Sequence, residues 1–380
     1  MNIMKLKSRH IFLAIFIISA SCGTMASGAG KGSVKRVIGQ MTLKEKVCQM
    51  IFIQPETLAS PSDTENLGVT QLSVEMSDFF REYPVGGFCL FPRNITNPEQ
   101  LVRFTADLHS LSPSPLLCVD EEGGRVARIA NNDAFGLERF ESMTALASGN
   151  DRKKVRRASN YIGSYVRKFG FDVDFAPVAD VNTNPGNIVI GPRAFSDNPK
   201  IAATMVKAYL RGLKQAGITG CLKHFPGHGD TLNDTHTGYA SSQKTWDEMN
   251  GCEMLPFKAG IASGAEIIMT AHIAAPNVTG TDKPSTLSSV ILQEKLRGKL
   301  GYKGIIITDA MVMGAISLHY SSAEAAVEAI KAGADIILMP KDLIEAVDGI
   351  VSAVEKGEID EKRIDESVCR IMRLKHKKGL

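Results

Sequence analysis

The sequence predicts an α/β protein of one domain, a (β/α)8 barrel of the TIM type, and three observations predict it. Eight short runs rich in Val, Ile, Leu and Phe are spaced along the chain. Each is followed by a segment with helical spacing of its apolar residues, closed by a glycine just before the next run. The runs are continuous rather than alternating, which suits strands of a parallel sheet covered on both faces. An open doubly wound sheet shares these features, but eight units in one domain of this length favour closure.

In chain order the predicted strands are Met50-Ile51-Phe52-Ile53, Gly87 to Phe91, Leu116 to Val119, Val173 to Ala176, Gly220 to Leu222, Ile267 to Met269, Gly304 to Ile307 and Ile336 to Met339. The predicted helices include Pro199 to Gln215, Trp246 to Ser263, Ser289 to Leu300 and Ala323 to Lys331, with stop signals at Gly217, Gly264, Gly301 and Gly333. Asp342 to His376 reads as two closing helices. No linker or low-complexity stretch interrupts this pattern, so residues 33–380 are expected to form the barrel.

Composition fits one large core. Of 380 residues 44% are hydrophobic and 22% charged, which argues against disorder. The formal net charge is +3 and the basic residues read as spread along the chain rather than clustered with aromatics, so nucleic acid is not an expected partner. The N-terminus places Lys5, Lys7 and Arg9 before the apolar run Ile11 to Ile18 and then small residues, the layout of an export signal over residues 1–26. Two processing points stay open: Ser19-Ala20-Ser21-Cys22 is close to a lipobox and would give a lipid anchor at Cys22, while Thr24-Met25-Ala26 suits ordinary cleavage. The run is shorter than the roughly 20 apolar residues of a membrane span. An exported protein is expected, periplasmic, anchored or extracellular. The other cysteines, Cys48, Cys89, Cys118, Cys221, Cys252 and Cys369, are expected to be free thiols rather than a disulfide framework.

Barrel enzymes build their sites where strands end, and here the strand ends carry ionisable groups. The third strand runs into Asp120-Glu121-Glu122-Gly123-Gly124-Arg125, the fourth into Asp180, the fifth into Lys223-His224, the sixth into His272 and the seventh into Thr308-Asp309. After the fifth comes a loop, Lys223 to His236, too rich in glycine and charge to be packing. His224, His228 and His236 with Asp230 and Asp234 offer donors of the zinc type, yet no paired-histidine motif is present, so neither metal nor other cofactor is expected. The other reading pairs Asp234 with His236: two apart in an extended loop, they share a side, and the carboxylate can orient and support a protonated imidazole. Such a histidine can protonate a leaving oxygen and later deprotonate water. Asp309, at the end of an apolar strand, fits the nucleophile that a retaining glycoside cleavage needs, although an aspartate there can also simply cap the next helix.

These residues resemble family 3 glycoside hydrolases, specifically the single-domain β-N-acetylglucosaminidase branch, over nearly all of residues 33–380. Lys223-His224-Phe225-Pro226-Gly227-His228-Gly229-Asp230-Thr231 is similar to the family's most distinctive stretch, and Asp234-Thr235-His236 stands where the branch has an Asp-Ser-His dyad. The resemblance implies that Asp309 forms a covalent glycosyl intermediate, that His236 is the acid/base with Asp234 behind it, and that Asp120, Arg128, Arg193, Lys223 and His224 bind the terminal sugar. It implies removal of terminal β-linked N-acetylglucosamine; the expected export leaves peptidoglycan fragments and chitin- or glycan-derived oligosaccharides open as substrates, and a monomer is expected. Departures are Glu121 for the usual glutamine, Ala194 where a serine more often follows the arginine, and Thr237-Gly238-Tyr239 after the dyad. Competing readings are a β-glucosidase or β-xylosidase, which usually draws its acid from a second domain not expected here, a metal-dependent barrel hydrolase, and a non-catalytic sugar-binding barrel.

Overall fold

The computed structural model describes residues 29–59, 68–231 and 240–380; Cys22 and the export signal, and Asp234 and His236, lie outside them. All eight expected strands form, as β1 (Ile51–Ile53), β2 (Gly87–Leu90), β3 (Leu116–Val119), β4 (Val173–Asp174), β5 (Thr219–Phe225), β6 (Ile267–Thr270), β7 (Ile305–Ile307) and β8 (Ile337–Leu338). Each pairs in parallel with its neighbours in chain order, for example Cys89 beside Cys118 and Cys221 beside Ile267, and β8 returns to β1 through Ile51 beside Ile337. The circle closes between β7 and β8. Ile307 bridges Ile336, the Thr308 amide donates to the Ile336 carbonyl at 3.0 Å, and the Leu338 amide donates to the Thr308 hydroxyl at 2.9 Å. The expected (β/α)8 barrel is therefore the fold observed, and its strands are buried along their whole lengths, as the unbroken apolar runs required.

Helices cover the outside: α1 (Val74–Glu82), α2 (Pro98–His109), α3 (Arg152–Lys168), α4 (Pro199–Ala216), α5 (Met254–Ala262), α6 (Val290–Lys299), α7 (Ser322–Ala332) and α8 (Leu343–Glu355). Local chemistry sets their ends. Asn198 caps α4 by accepting from the Lys200 and Ile201 amides with Pro199 at the first turn, and Gly217 stops it at φ +83°, a conformation that suits glycine. Ser321 and Glu324 form a capping box on α7.

Two helices differ from expectation. The continuous helix expected from Trp246 to Ser263 is broken at Cys252 (φ −126°, ψ −84°), giving Trp246–Gly251 and α5. The break turns Glu253 fully inward, where it meets Lys244 Nζ at 2.5 Å. The expected α6 is present but is wound as a π-helix, with Leu300 N donating to Lys295 O; nothing in the structure explains this winding.

The strands' N-terminal end is sealed by the helix Glu361–Lys378. There the buried Asp335 carboxylate accepts from Arg297 Nη2 (2.6 Å), Ser367 Oγ (2.7 Å), the Ile306 amide (2.9 Å) and Arg370 Nη1 (3.0 Å). Lys375, on the same helix, is buried and donates to Gln49 Oε1 at 2.6 Å, and burial pulls its pKa down from 10.5 to about 7. Between these values the unfolded chain holds a proton at Lys375 that the folded chain does not, so stability rises with pH across about 7 to 10.5. Urea unfolding of wild type and Lys375→Met at pH 7 and pH 9 measures this: the wild type should gain on the variant as pH rises, and an unchanged difference would show that Lys375 is not held neutral.

Candidate active site

The mouth of the barrel, at the C-terminal ends of the strands, holds a cavity of about 630 Å³, within the roughly 300–1,000 Å³ range of small-molecule sites. Asp120, Arg128, Arg193, Lys223, His224 and Asp309 all line it. A second cavity, of about 740 Å³, opens at the other end between Asp172, Glu266 and Lys377. Its polar groups are largely paired with one another, His109 with Asp172 and Lys377 with Glu266. The chemistry collects at the mouth.

The first charged layer comes from the end of β3. Extended backbone sends alternate side chains to opposite sides. Asp120 and Glu122 face the cavity, whereas Glu121 points outward to accept from the Ile129 amide (2.8 Å), the Ala130 amide (2.9 Å) and Tyr165 Oη (2.8 Å). Three donors suit a carboxylate; a glutamine amide group would set its own N–H against one of them. Glu121 thus answers a local demand for acceptors and takes no part in the cavity.

Lys223, from β5, sits between the inward pair. Its Nζ is 2.6 Å from Asp120 Oδ1 and 2.6 Å from Glu122 Oε1, at 2% side-chain exposure. Arg193, from the loop after β4, grips the same Glu122 with two parallel bonds, Nε to Oε2 at 2.9 Å and Nη2 to Oε1 at 2.7 Å. Burial disfavours every charge in this cluster, but the opposite charges outweigh it: Glu122 is held far below the usual carboxylate range, and Lys223 and Arg193 above their ordinary values. Arg128 reaches Asp120 Oδ2 only at 3.6 Å, and its buried Nε has no hydrogen-bond partner among the described residues. Asp120 Oδ2 and the partly exposed Arg128 side chain line the cavity, so Asp120 keeps hydrogen-bonding capacity there.

His224 follows Lys223 and is fixed by Asp180. Asp180 Oδ2 lies 2.8 Å from His224 Nδ1, and its oxygens also accept from the His224 and His228 amides. An ionised acceptor there places the proton on Nδ1 and turns Nε2 toward Arg193, 3.5 Å away. His228 instead meets Thr231 Oγ1 at 2.8 Å, and burial lowers its pKa. Among the described residues no three His, Cys, Asp or Glu side chains gather as metal ligands.

Asp309, just past β7, is partly exposed in the cavity wall. Burial by itself would raise its pKa; the His224 and His272 imidazoles, the Ala310 amide donating at 2.8 Å and the Lys223 charge outweigh it and hold the carboxyl below its usual range. His272, from β6, is anchored to Thr286 Oγ1 (2.8 Å) and to the Ala310 carbonyl (3.1 Å). The rest of the lining includes apolar side chains, among them Phe175, Met269, Leu338 and Met339. Met339 adopts φ +51°, uncommon for a non-glycine residue, and its amide donates to Phe52 O at 2.7 Å.

The loop expected to reach over the mouth is described only to Thr231 and again from Ala240. Its two ends are tied together. Asp230 accepts from Ser242 Oγ (3.0 Å) and Thr183 Oγ1 (3.3 Å) and pairs with Lys244 (3.2 Å), while Ala240–Ser241 pairs in parallel with Ile273–Ala274. Of the site residues named from sequence, Asp120, Arg128, Arg193, Lys223, His224 and Asp309 converge on the cavity, and Asp234 and His236 lie outside the described residues. Sequence reasoning gave no role to Glu122, Asp180, His272 or Met339. Strand alternation after Asp120 would have found Glu122.

Replacing Glu122 by Gln leaves Lys223 and Arg193 buried with one carboxylate fewer, which costs about 3–5 kcal/mol for a broken buried pair. Denaturant unfolding of Glu122→Gln against wild type reads that loss directly. A loss under about 1 kcal/mol would mean water or a rearranged Asp120 replaces the pair.

Comparison with known proteins is consistent with this geometry. Residues 42–374 match the description "Glycosyl hydrolase family 3 N terminal domain". The beta-hexosaminidase A of Pseudoalteromonas piscicida is 34% identical over 83% of this chain, which spans 57% of that protein's length. A beta-hexosaminidase of Xanthomonas oryzae pv. oryzae is 37% identical over 71% of this chain and 80% of its own. Among solved structures, a glycoside hydrolase family 3 beta-N-acetylglucosaminidase from Paenibacillus sp. str. FPU-7 superposes with a TM-score of 0.82 at 35% identity, over 89% of this chain and 63% of that one. The chain belongs to glycosyl hydrolase family 3, through the N-terminal barrel domain of that family.

Proposed function

We propose that the protein is a retaining exo-β-N-acetylglucosaminidase that takes terminal β-linked GlcNAc from peptidoglycan fragments or chito- and glycan oligosaccharides. The observation that carries this reading is an ionised Asp309 facing, across one sugar-sized cavity, a fixed cluster of Asp120, Lys223, Glu122 and Arg193. The relatives named as beta-hexosaminidases support the substrate class.

In this reading Asp120, Arg128, Arg193, Lys223 and His224 hold the hydroxyls of the terminal sugar, as charged donors and acceptors with free valences do. Asp309 attacks the anomeric carbon while His236, supported by Asp234, donates its proton to the leaving oxygen; the glycosidic bond breaks and a glycosyl–Asp309 ester forms. Water then attacks the same carbon, His236 takes its proton, and Asp309 leaves as a carboxylate. Every step balances without a metal or other cofactor. The protein acts as an exported monomer, free in the periplasm or outside the cell, or held by a lipid at Cys22.

Hydrolysis of an aryl β-N-acetylglucosaminide and an aryl β-glucoside by wild type and Asp309→Asn, with and without a chelator, tests the reaction. Preference for the first substrate, resistance to chelator and a loss of at least about a thousandfold in the variant are expected. Activity kept by Asp309→Asn moves the nucleophile elsewhere, and loss on chelation makes the site metal-dependent. For His236→Ala, turnover should collapse on substrates with poor leaving groups and survive better on those needing no proton. Full turnover on a poor leaving group would remove His236 from the acid role.

A further inference from the structure

The basic residues that look scattered in the sequence are gathered in space. Helix α3 carries seven Lys or Arg (Arg152, Lys153, Lys154, Arg156, Arg157, Arg167, Lys168) and α4 carries four (Lys200, Lys207, Arg211, Lys214), and neither contains an Asp or Glu. These eleven belong to a total of 44 Lys and Arg, so the other residues hold 33 basic groups against 41 acidic ones. The molecule is polarised: one wall strongly positive, the remainder net negative.

The wall is continuous and open. Lys200, Lys207, Arg211 and Lys214 recur at helical spacing and are all exposed, as are Lys153, Lys154, Arg157 and Lys168 on α3. The two helices lie against each other, with Asn160 Nδ2 donating to Gly212 O at 3.3 Å and Arg167 Nη1 to Ala216 O at 3.5 Å. Ser159 packs where a side chain at residue 212 would stand, so glycine there brings the helices close. Elsewhere exposed cations meet carboxylates, as in Lys283 with Glu328 and Lys331 with Glu358, but none of the eleven forms an ion pair among the described residues. The nearest acids in sequence are Asp151, spent on capping α3, Asp172, four residues past its end and paired with His109, and Asp197, ahead of α4.

We infer that this wall is a docking surface for an anionic phospholipid bilayer. Two helices of 17 and 18 residues span about 26 Å at 1.5 Å per residue, and at one margin Lys154 and Arg157 border a cavity of about 520 Å³ together with Glu138 and Glu141. Long Lys and Arg stems suit such a face, and at a Debye length of about 8 Å neighbouring cations act together on a surface potential. A nucleic acid is a poorer occupant because the wall offers no free aromatic for stacking: Tyr161 and Tyr165 pack on each other, and Tyr161 on Phe140. The helices flank the strands, so a barrel docked this way lies on its side with its mouth opening along the membrane. Substrates near the surface then reach Asp309 without passing beneath the protein.

The experiment is co-sedimentation of the full chain carrying Cys22→Ser, so that no lipid anchor contributes. Vesicles of phosphatidylcholine alone are compared with vesicles containing about 30% phosphatidylglycerol, at about 0.1 and 0.5 M NaCl. Preferential binding to the anionic vesicles at low salt is expected. Replacing Lys153, Arg157, Lys207 and Arg211 by Gln should weaken it at least about tenfold, while Gln at four other exposed lysines, Lys299, Lys303, Lys341 and Lys356, should change it less than about twofold, and neither set should alter aryl-glycoside hydrolysis. Equal binding to both vesicle types, or equal weakening by the two sets, overturns the inference. Binding to soluble polyphosphate with no preference for anionic vesicles overturns it in favour of a polyanion.

Discussion

The site depends on one buried ammonium. Lys223 Nζ stands between Asp120 and Glu122 at 2.6 Å from each, almost out of reach of water. A charge in that position is tolerable only when its partners are fixed, and each partner is fixed by something else. Glu122 is clamped by the Arg193 fork, Arg193 also donates to Val189 O at 3.1 Å, and the β5 backbone that carries Lys223 is held by β4 and β6. Two strand ends, those of β3 and β5, and the loop after β4 are thereby locked to one point. The same positive charge helps to keep Asp309 ionised on the opposite wall. Removing the lysine would therefore undo binding geometry and electrostatics together.

How much of this was legible in the sequence follows from what each signal requires. The eight strands could be read because a parallel strand covered on both faces leaves an uninterrupted apolar run, and Ile305 to Ile307 or Leu116 to Val119 have no other simple use. Asp120, Lys223, His224 and Asp309 could be read because they end such runs, where a barrel gathers its chemistry. Glu121 and Glu122 could not be told apart by composition; the pleat alone separates them, sending one to Tyr165 and the other to Lys223. The break at Cys252 was hidden because apolar spacing on either side is helical, and only the inward turn of Glu253 toward Lys244 distinguishes two helices from one. The basic wall was invisible for a different reason: α3 and α4 are separated by β4 and its long loop, and a linear reading averages their charge into the chain.

The two ends of the barrel show what distinguishes a binding site from a staple. At the N-terminal end Asp335 is fully buried, and arginines, a serine and a backbone amide spend its hydrogen-bonding capacity. Such a carboxylate welds elements together and has nothing left for a ligand. At the mouth Asp120, Arg128 and Asp309 are partly exposed, and among the described residues their donors and acceptors do not all find partners. Among the described residues Asp120 Oδ2 has only a distant Arg128, Arg128 Nε has no partner, and Asp309 meets one backbone amide in a field that favours its charge. Leaving such groups unmatched is unfavourable in a folded protein unless something else satisfies them. In the proposed function a polyhydroxylated ring, bringing several donors and acceptors at once, would complete Asp120 Oδ2 and leave the Asp309 carboxylate facing it. The imbalance, more than the number of charges, makes the mouth the reactive end of the barrel.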